Sequence, residues 1–259
     1  MNKLLTYLRY FYDYLKFGDF VSIFAGIRYL LTRASINHDR IIHTSIGTFF
    51  CRRNTNDFQF ANYYYEWQVK KFVIGHSREF NVFIDAGACI GDFTILMANK
   101  GLRCISFEPL KSNYEVFLKN IELNKLTGKV QTYNLGLGAS NRTVSFAFDP
   151  VNTGASHIVE SATGNVIPAE LRTFDTLVPE FGLNENDRVL IKFDVEGMEP
   201  DVVNGAAGFI RQFRELIIIL EDKISGKGKI KEALDKFAVF EYGTIDEYNF
   251  YARKTGNIN

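Results

Sequence analysis

The sequence predicts an α/β fold in which helices cover both faces of a doubly wound, mostly parallel sheet. Three observations carry that prediction. Short apolar runs of strand length recur, in NVFIDAG (81–87), RCISFEP (103–109), VLIKFDVEG (189–197) and LIIILED (216–222). Stretches of helical period separate them, the alternation that a parallel sheet requires. The first run ends abruptly in glycines, as strands do where they turn into a helix beside a ligand.

A chain of 259 residues can bury one large core, or one core with a smaller appendage. The division read here is a helical and hairpin cap over residues 1–78 and a sheet domain over 79–259. Lys plus Arg and Asp plus Glu both number 30, so no global positive field gathers nucleic acid. Cys51, Cys89 and Cys104 are widely spaced and odd in number, which fits neither a disulfide framework nor a zinc cluster and points to a reducing, cytoplasmic setting. No signal-peptide pattern is read at the start, and no apolar run has the length of a membrane span.

In the first 32 residues, Leu4, Leu8, Phe11 and Leu15, then Phe20, Phe24, Ile27 and Leu31, recur at spacings of three or four. Two helices broken near Gly18 are expected. Residues 1–40 hold six basic side chains (Lys3, Arg9, Lys16, Arg28, Arg33, Arg40) against three acidic ones (Asp13, Asp19, Asp39). Aromatic and basic helices of this kind rest on a membrane surface or grip a lipid-linked substrate; packing as a cap on the main domain or against a second subunit is the plainer expectation. Residues 41–57 read as a hairpin around Gly47 and a polar turn, and 58–74 as a helix. His38 and His43 lack metal-ligand spacing and are read as surface residues. Arg52 and Asp57 flank the turn and are read as a pair that pins the cap or, as the alternative, lines the substrate mouth.

Within 81–91 (NVFIDAGACIG), Asp85, Gly87 and Gly91 make an acidic-Gly-x-x-x-Gly turn into a helix. Glycine lets the backbone turn tightly and approach a ligand, and the amides of a helix N-terminus favour negative charge. The third glycine of a dinucleotide loop is missing, as are the Lys and Ser or Thr of a triphosphate loop. An acidic residue two positions before the first glycine suits an ammonium beside a carboxylate, the amino-acid end of S-adenosylmethionine; on this turn alone a nucleotide or an ordinary connection stays open. Glu108, about twenty residues on, is placed to accept hydrogen bonds from both hydroxyls of a ribose. Residues 130–138 read as a third strand, where Asn134 and Gly136 could border an adenine. The segment TVSFAFD reads as an antiparallel strand, and PVNTGASHIVESATGN after it as a surface loop over the site. His157 in that loop is a candidate proton acceptor, though such histidines are more often solvated.

Period two places Lys192, Asp194 and Glu196 on one face of the strand 189–197. Three charges on one face of a central parallel strand break a local rule, and such breaks concentrate at functional sites. The alternative is a salt-bridge network without chemistry. A further strand ends in Glu221 and Asp222, and a strand pair closes the chain.

Placed together, these residues resemble the FkbM family of S-adenosylmethionine-dependent methyltransferases over about residues 52–253. The carriers are IDAGACIGDF, SFEP, NLGLG, RTFDTL and above all LIKFDVEGMEPDVVNGA; the Arg52 to Asp57 turn is similar to a segment that precedes the cofactor domain in this family. The resemblance implies a Rossmann-like sheet of the class I methyltransferase type with an antiparallel strand at the C-terminus. It implies S-adenosyl-L-methionine as cofactor, with Asp85, Gly87, Gly91 and Glu108 on its binding positions and Asp194 and Glu196 on the active-site strand. Cys89 stands where the family usually has Asn. The implied reaction is O-methylation of a sugar, glycan or secondary metabolite, with Asp194 as candidate base and Glu196, Glu221 and His157 as orienting groups or substitutes. Lys192 balances the carboxylates. No metal site is read, although a divalent ion bridging Asp194, Glu221 and the acceptor suits those residue types. A nicotinamide-dependent oxidoreductase and a catalytically silent cofactor-binding module are the competing readings.

Overall fold

A computed structural model describes residues 3–32, 34–147, 149, 151–154, 157–159 and 166–258. Helices α1 (Lys3–Lys16) and α2 (Phe20–Thr32) meet at a break where Gly18 takes a φ of +68°, as the periodicity predicts. The hairpin of β1 (Arg40–His43) and β2 (Thr48–Cys51) follows, then α3 (Asp57–Phe60) and α4 (Trp67–His76). The stretch 58–74 is thus two helices and not one, because Glu66 adopts a left-handed φ of +48° just before α4.

The next elements alternate: β3 (Val82–Ala86), α5 (Asp92–Asn99), β4 (Arg103–Phe107), α6 (Lys111–Leu123) and β5 (Val130–Tyr133). A second, four-stranded sheet then interrupts them, built from β6 (Gly136–Leu137), β7 (Arg142–Ala147), β8 (His157–Val159) and β9 (Val166–Arg172) in the order β6-β9-β7-β8. Alternation resumes with α7 (Phe174–Phe181), β10 (Val189–Phe193), α8 (Glu199–Gly205), α9 (Ala207–Gln212), β11 (Leu216–Glu221) and α10 (Lys227–Leu234), and the chain closes on β12 (Ala238–Thr244) and β13 (Asn249–Asn257).

The main sheet runs β12-β13-β11-β10-β3-β4-β5. Strands β5, β4, β3, β10 and β11 are parallel, and β13 is antiparallel to both of its neighbours. This is the doubly wound α/β sheet with an antiparallel C-terminal strand that the sequence predicts. Strand order departs from β3 in opposite directions, to β4 on one side and to β10 on the other, so a crevice opens at their carboxyl ends.

Side-chain alternation divides the core between the two faces. Phe83, Cys104, Leu190, Ile217 and Ile219 point into one cluster, shared with α5, α6, α4 and the cap residues Tyr14 and Phe49. Val82, Ile105, Val189, Ile191 and Ile218 point into the other, with Phe174, Phe181, Phe209 and Phe213. Each such side chain, fully buried, contributes about 1.5–3 kcal/mol. Asp85 and Lys192 have the parity of Phe83 and Leu190, and they are direct neighbours across the β3–β10 register. A carboxylate and an ammonium therefore sit side by side at the edge of the first cluster, where the crevice opens.

Two strand expectations need correction. Residues 130–138 form two short strands in different sheets, since β5 pairs with β4 while β6 pairs with β9. The strand begun at Val189 stops at Phe193, so Asp194 and Glu196 lie in the turn beyond it. Among the described residues no helix is long and apolar enough to cross a membrane.

Candidate active site

The carboxyl ends of β3, β4, β10 and β11 surround a cavity of about 210 Å³, and Asp85, Gly87, Glu108, Asp194, Glu196 and Glu221 all line it. The floor is the glycine turn. Gly87 has a φ of +93°, and a Cβ there would lie 2.0 Å from the carbonyl oxygen of Asp194. The turn cannot back away: the Gly87 and Ala88 amides donate to Phe107 O at 3.0 and 2.9 Å, and the Asp194 amide donates to Ala86 O at 3.0 Å. Gly91, at φ +90°, caps α5 against the Phe117 ring, which a Cβ would meet at 2.2 Å.

Cys89 also takes a left-handed φ, of +48°. Asn tolerates that region better than most residues, which accounts for the family's usual Asn here. The contribution of Cys89 comes from its backbone: its amide donates to Glu108 Oε2 at 2.9 Å. Glu108 Oε1 accepts from the Leu110 amide at 2.9 Å and from Asn113 Nδ2 at 3.4 Å. Asp85 accepts from the Thr94 hydroxyl at 2.6 Å, and that hydroxyl also pairs with Ser106 at 2.8 Å.

Opposite lies the charged end of β10. Lys192 Nζ is 2.5 Å from Asp194 Oδ2 and 3.7 Å from Glu66 Oε2, and it stands 4.6 Å over the Phe93 ring. Burial works against its charge, but Asp194, Glu66 and Asp85 outweigh burial and hold it protonated well above the usual lysine range. Glu66 was not legible as a site residue, because nothing in a helical stretch 126 positions away announces a contact with Lys192. Glu199 is a second such residue. Its carboxylate accepts from the Val195 and Gly197 amides at 3.3 and 3.2 Å and from the Ser225 hydroxyl, which fixes Glu196 at φ +49° and aims it inward.

One carboxylate oxygen from each of Asp194, Glu196 and Glu221 lies within 4.8 Å of the other two, an arrangement able to hold a cation. Burial and then Asp194 push Glu196 up to about 7; burial, Asp194 and Glu196 push Glu221 up to about 8. Burial, partly offset by Lys192, lifts Asp85 to about 6, and burial, partly offset by the Leu110 and Cys89 amides, lifts Glu108 to about 7. In the unfolded chain such carboxyls titrate near ~4. The folded chain therefore binds these protons more tightly, and stability falls as pH rises from about 4 through about 8. Thermal unfolding should show Tm falling between about pH 5 and about pH 8, with a shallower fall in Glu221→Gln. A Tm that is flat over that range in the parent contradicts these shifts.

Besides Glu66, which reaches the site directly, the cap is fastened beside it by Arg52. Its guanidinium makes a two-pronged ion pair with buried Asp57, at 2.8 and 2.9 Å, and also donates to Ser112 O, Asn113 Oδ1 and Thr153 Oγ1. Asn113 reaches both Glu108 and Thr153 O, so one guanidinium anchors the turn, α6 and the loop over the cavity. Arg52 and Asp57 pin the structure and do not line the cavity, whereas Thr153 and Gly154 do. Of that loop, Pro150, Ala155, Ser156 and residues 160–165 lie outside the described residues, as does Arg33 of the cap.

Gly136 lines the cavity, whereas Asn134 lies behind it, its Nδ2 donating to Glu108 O at 2.9 Å and Pro109 O at 3.2 Å. His157 is exposed on β8, with its backbone opposite Ala147, and is not part of the cavity wall. His38 and His43 are exposed.

A doubly wound sheet with an acidic, glycine-floored crevice at its switch point defines a Rossmann-like protein of the class I methyltransferase type. The description Methyltransferase FkbM domain matches residues 85–246, and the chain belongs to this family of S-adenosylmethionine-dependent methyltransferases. It is 32% identical over 142 residues to Methyltransferase 1 of Beauveria bassiana, covering 47% of this chain and 57% of that one. It is 25% identical over 166 residues to the hexuronic acid methyltransferase AglP of Haloferax volcanii, covering 64% and 66%. A solved FkbM methyltransferase from Methylobacillus flagellatus superposes with a TM-score of 0.47 at 14% identity, over 77% of this chain and 56% of that one. The chain spans 57% to 66% of the length of the curated relatives it matches.

Proposed function

We propose that this chain methylates a hydroxyl oxygen of a sugar or sugar-bearing acceptor, with S-adenosylmethionine as donor. The observation that carries this reading is the convergence of Asp85 and Glu108, from one pair of strand ends, with Asp194, Glu196 and Glu221, from the other, on a single cavity. The cavity suits the cofactor. Its floor at Gly87 leaves no room for a side chain, its ring of carboxylates complements a cationic ligand, and Phe107, Leu137 and Leu171 give it an apolar side for a flat base. Gly87 and Asp85 would hold the amino-acid end, and Glu108 the ribose. When bound, S-adenosylmethionine supplies an electrophilic methyl carbon.

The remaining work falls to the chain. With Asp194 Oδ2 engaged by Lys192, Oδ1 takes the proton from the acceptor hydroxyl, and Glu196 and Glu221 orient that hydroxyl. A base held in place contributes typically ~100-fold or more, and alignment of the two reactants about 7–11 kcal/mol of the barrier. A sugar acceptor is supported by the Haloferax relative, described as a hexuronic acid methyltransferase. The test is transfer of labelled methyl from the donor to a panel of neutral hexosides, hexuronosides and non-sugar alcohols. Label on a sugar hydroxyl is expected; label only on non-sugar alcohols, or on none of the panel, contradicts the assignment.

A further inference from the structure

Helices α1 and α2, 14 and 13 residues long, each turn one face inward, onto each other, the β1–β2 hairpin and the segment 58–63, and expose the opposite one. On α1 the outer stripe is Leu5, Leu8, Tyr12 and Leu15, at i, i+3, i+7 and i+10. On α2 it is Phe20, Phe24, Ile27 and Leu31, at i, i+4, i+7 and i+11, with Phe20, Phe24 and Leu31 exposed by 68%, 66% and 80%. Eight large apolar side chains in register on adjacent helices exceed the scattered exposure usual on a soluble surface.

The charges sort with the faces. Both acidic residues of the helix pair are turned inward and satisfied. Asp13 is buried and accepts from the Ser45 amide, the Ser45 hydroxyl and the Tyr63 amide. Asp19 accepts from the Arg40 guanidinium and from Ser22. Arg28, by contrast, is exposed beside the apolar stripe of α2, Lys16 is exposed at the end of α1 although its Nζ donates to Ser45 Oγ at 3.1 Å, and Arg9 is half-buried. The outer face therefore offers apolar area with positive charge only.

We propose that this face docks on an anionic lipid surface, with both helices lying in the plane of the headgroups. Apolar side chains reach the acyl boundary in that pose while basic ones meet lipid phosphates, the pattern of interfacial helices. Neither helix can span: 14 residues rise only about 21 Å. A second copy is the poorer occupant, because a two-fold contact through this face would bring together two surfaces that carry only positive charge. The docked face is also tied to the cavity. The Tyr14 hydroxyl donates to Phe58 O at 2.8 Å and Asn62 donates to Tyr10 O at 3.1 Å, while Phe60 and Tyr65 of that same segment line the cavity wall.

The test is co-sedimentation of the full chain with vesicles of phosphatidylcholine alone or of phosphatidylcholine with phosphatidylglycerol. Binding should be about 25-fold tighter on the anionic vesicles, since Lys16 and Arg28 contribute roughly fivefold each, and it should weaken at high salt. The double variant Phe24→Asp, Leu31→Asp should lose vesicle binding and keep the parent Tm, because both side chains are exposed. No binding of the parent to anionic vesicles overturns the proposal, as does equal binding by the double variant. A parent dimer in light scattering that the double variant makes monomeric, without vesicle binding by either, assigns the face to a second copy instead.

Discussion

The Asp194→Asn variant is expected to lose about 100- to 10,000-fold in kcat for methyl transfer while binding S-adenosylhomocysteine like the parent. Asparagine keeps the shape and can still accept from Lys192, so the lining of the cavity is preserved. What it cannot do is take a proton from the acceptor hydroxyl. The substitution also removes a negative charge beside Glu196 and Glu221, which burial first and Asp194 second hold above the ordinary carboxyl range. Their titration should therefore move down, shifting the pH dependence of whatever activity remains. Single-turnover transfer of labelled methyl, with calorimetry for binding, separates the two effects. A kcat within about tenfold of the parent would give the proton to Glu196 or Glu221.

Gly87→Ala should have the largest effect on stability. The new Cβ would lie 2.0 Å from the backbone oxygen of Asp194, at a φ of +93° that alanine avoids. Neither strand end can yield without breaking the hydrogen bonds from Gly87 to Phe107 and from Asp194 to Ala86. A loss of about 4 kcal/mol or more is expected, together with loss of cofactor binding. Gly101→Ala is the control. Gly101 has nearly the same φ, +94°, but nothing lies within 4 Å of its added Cβ, so only the conformational cost of about 1–2 kcal/mol applies. Urea unfolding of the two variants distinguishes clash from strain; equal losses would mean that the contact between the strand ends is not tight.

The sheet and the two sides of the crevice were legible because their signals are local. A buried parallel strand is a continuous apolar run, so β3, β4 and β11 could be read directly, and the positive φ values at Gly87 and Gly91 explain why glycines punctuate the turn. What escaped depends on contacts distant in sequence. Residues 130–138 read as one strand, but the Asn134 side chain binds the Glu108 and Pro109 carbonyls, and Gly136 pairs with Leu171 in another sheet. The strand alternation does not run on from Lys192 to Glu196, because the Glu199 carboxylate captures two amides and turns the chain after Phe193. Both carboxylates nonetheless reach the cavity, by way of a turn in place of a strand. Glu66, Asn113 and Thr153 carry no motif at all; only the fold brings them to Lys192, Glu108 and Arg52.

Binding of the donor and its demethylated product by the intact chain is the most direct test of the cavity's role. Calorimetric titration should show one saturable site for S-adenosylmethionine and one for S-adenosylhomocysteine. The cationic donor should lose more affinity than the neutral product when Asp194, Glu196 and Glu221 are neutralised together to their amides. Absence of saturable binding by either compound would contradict the reading of this hollow as a methyl-donor site.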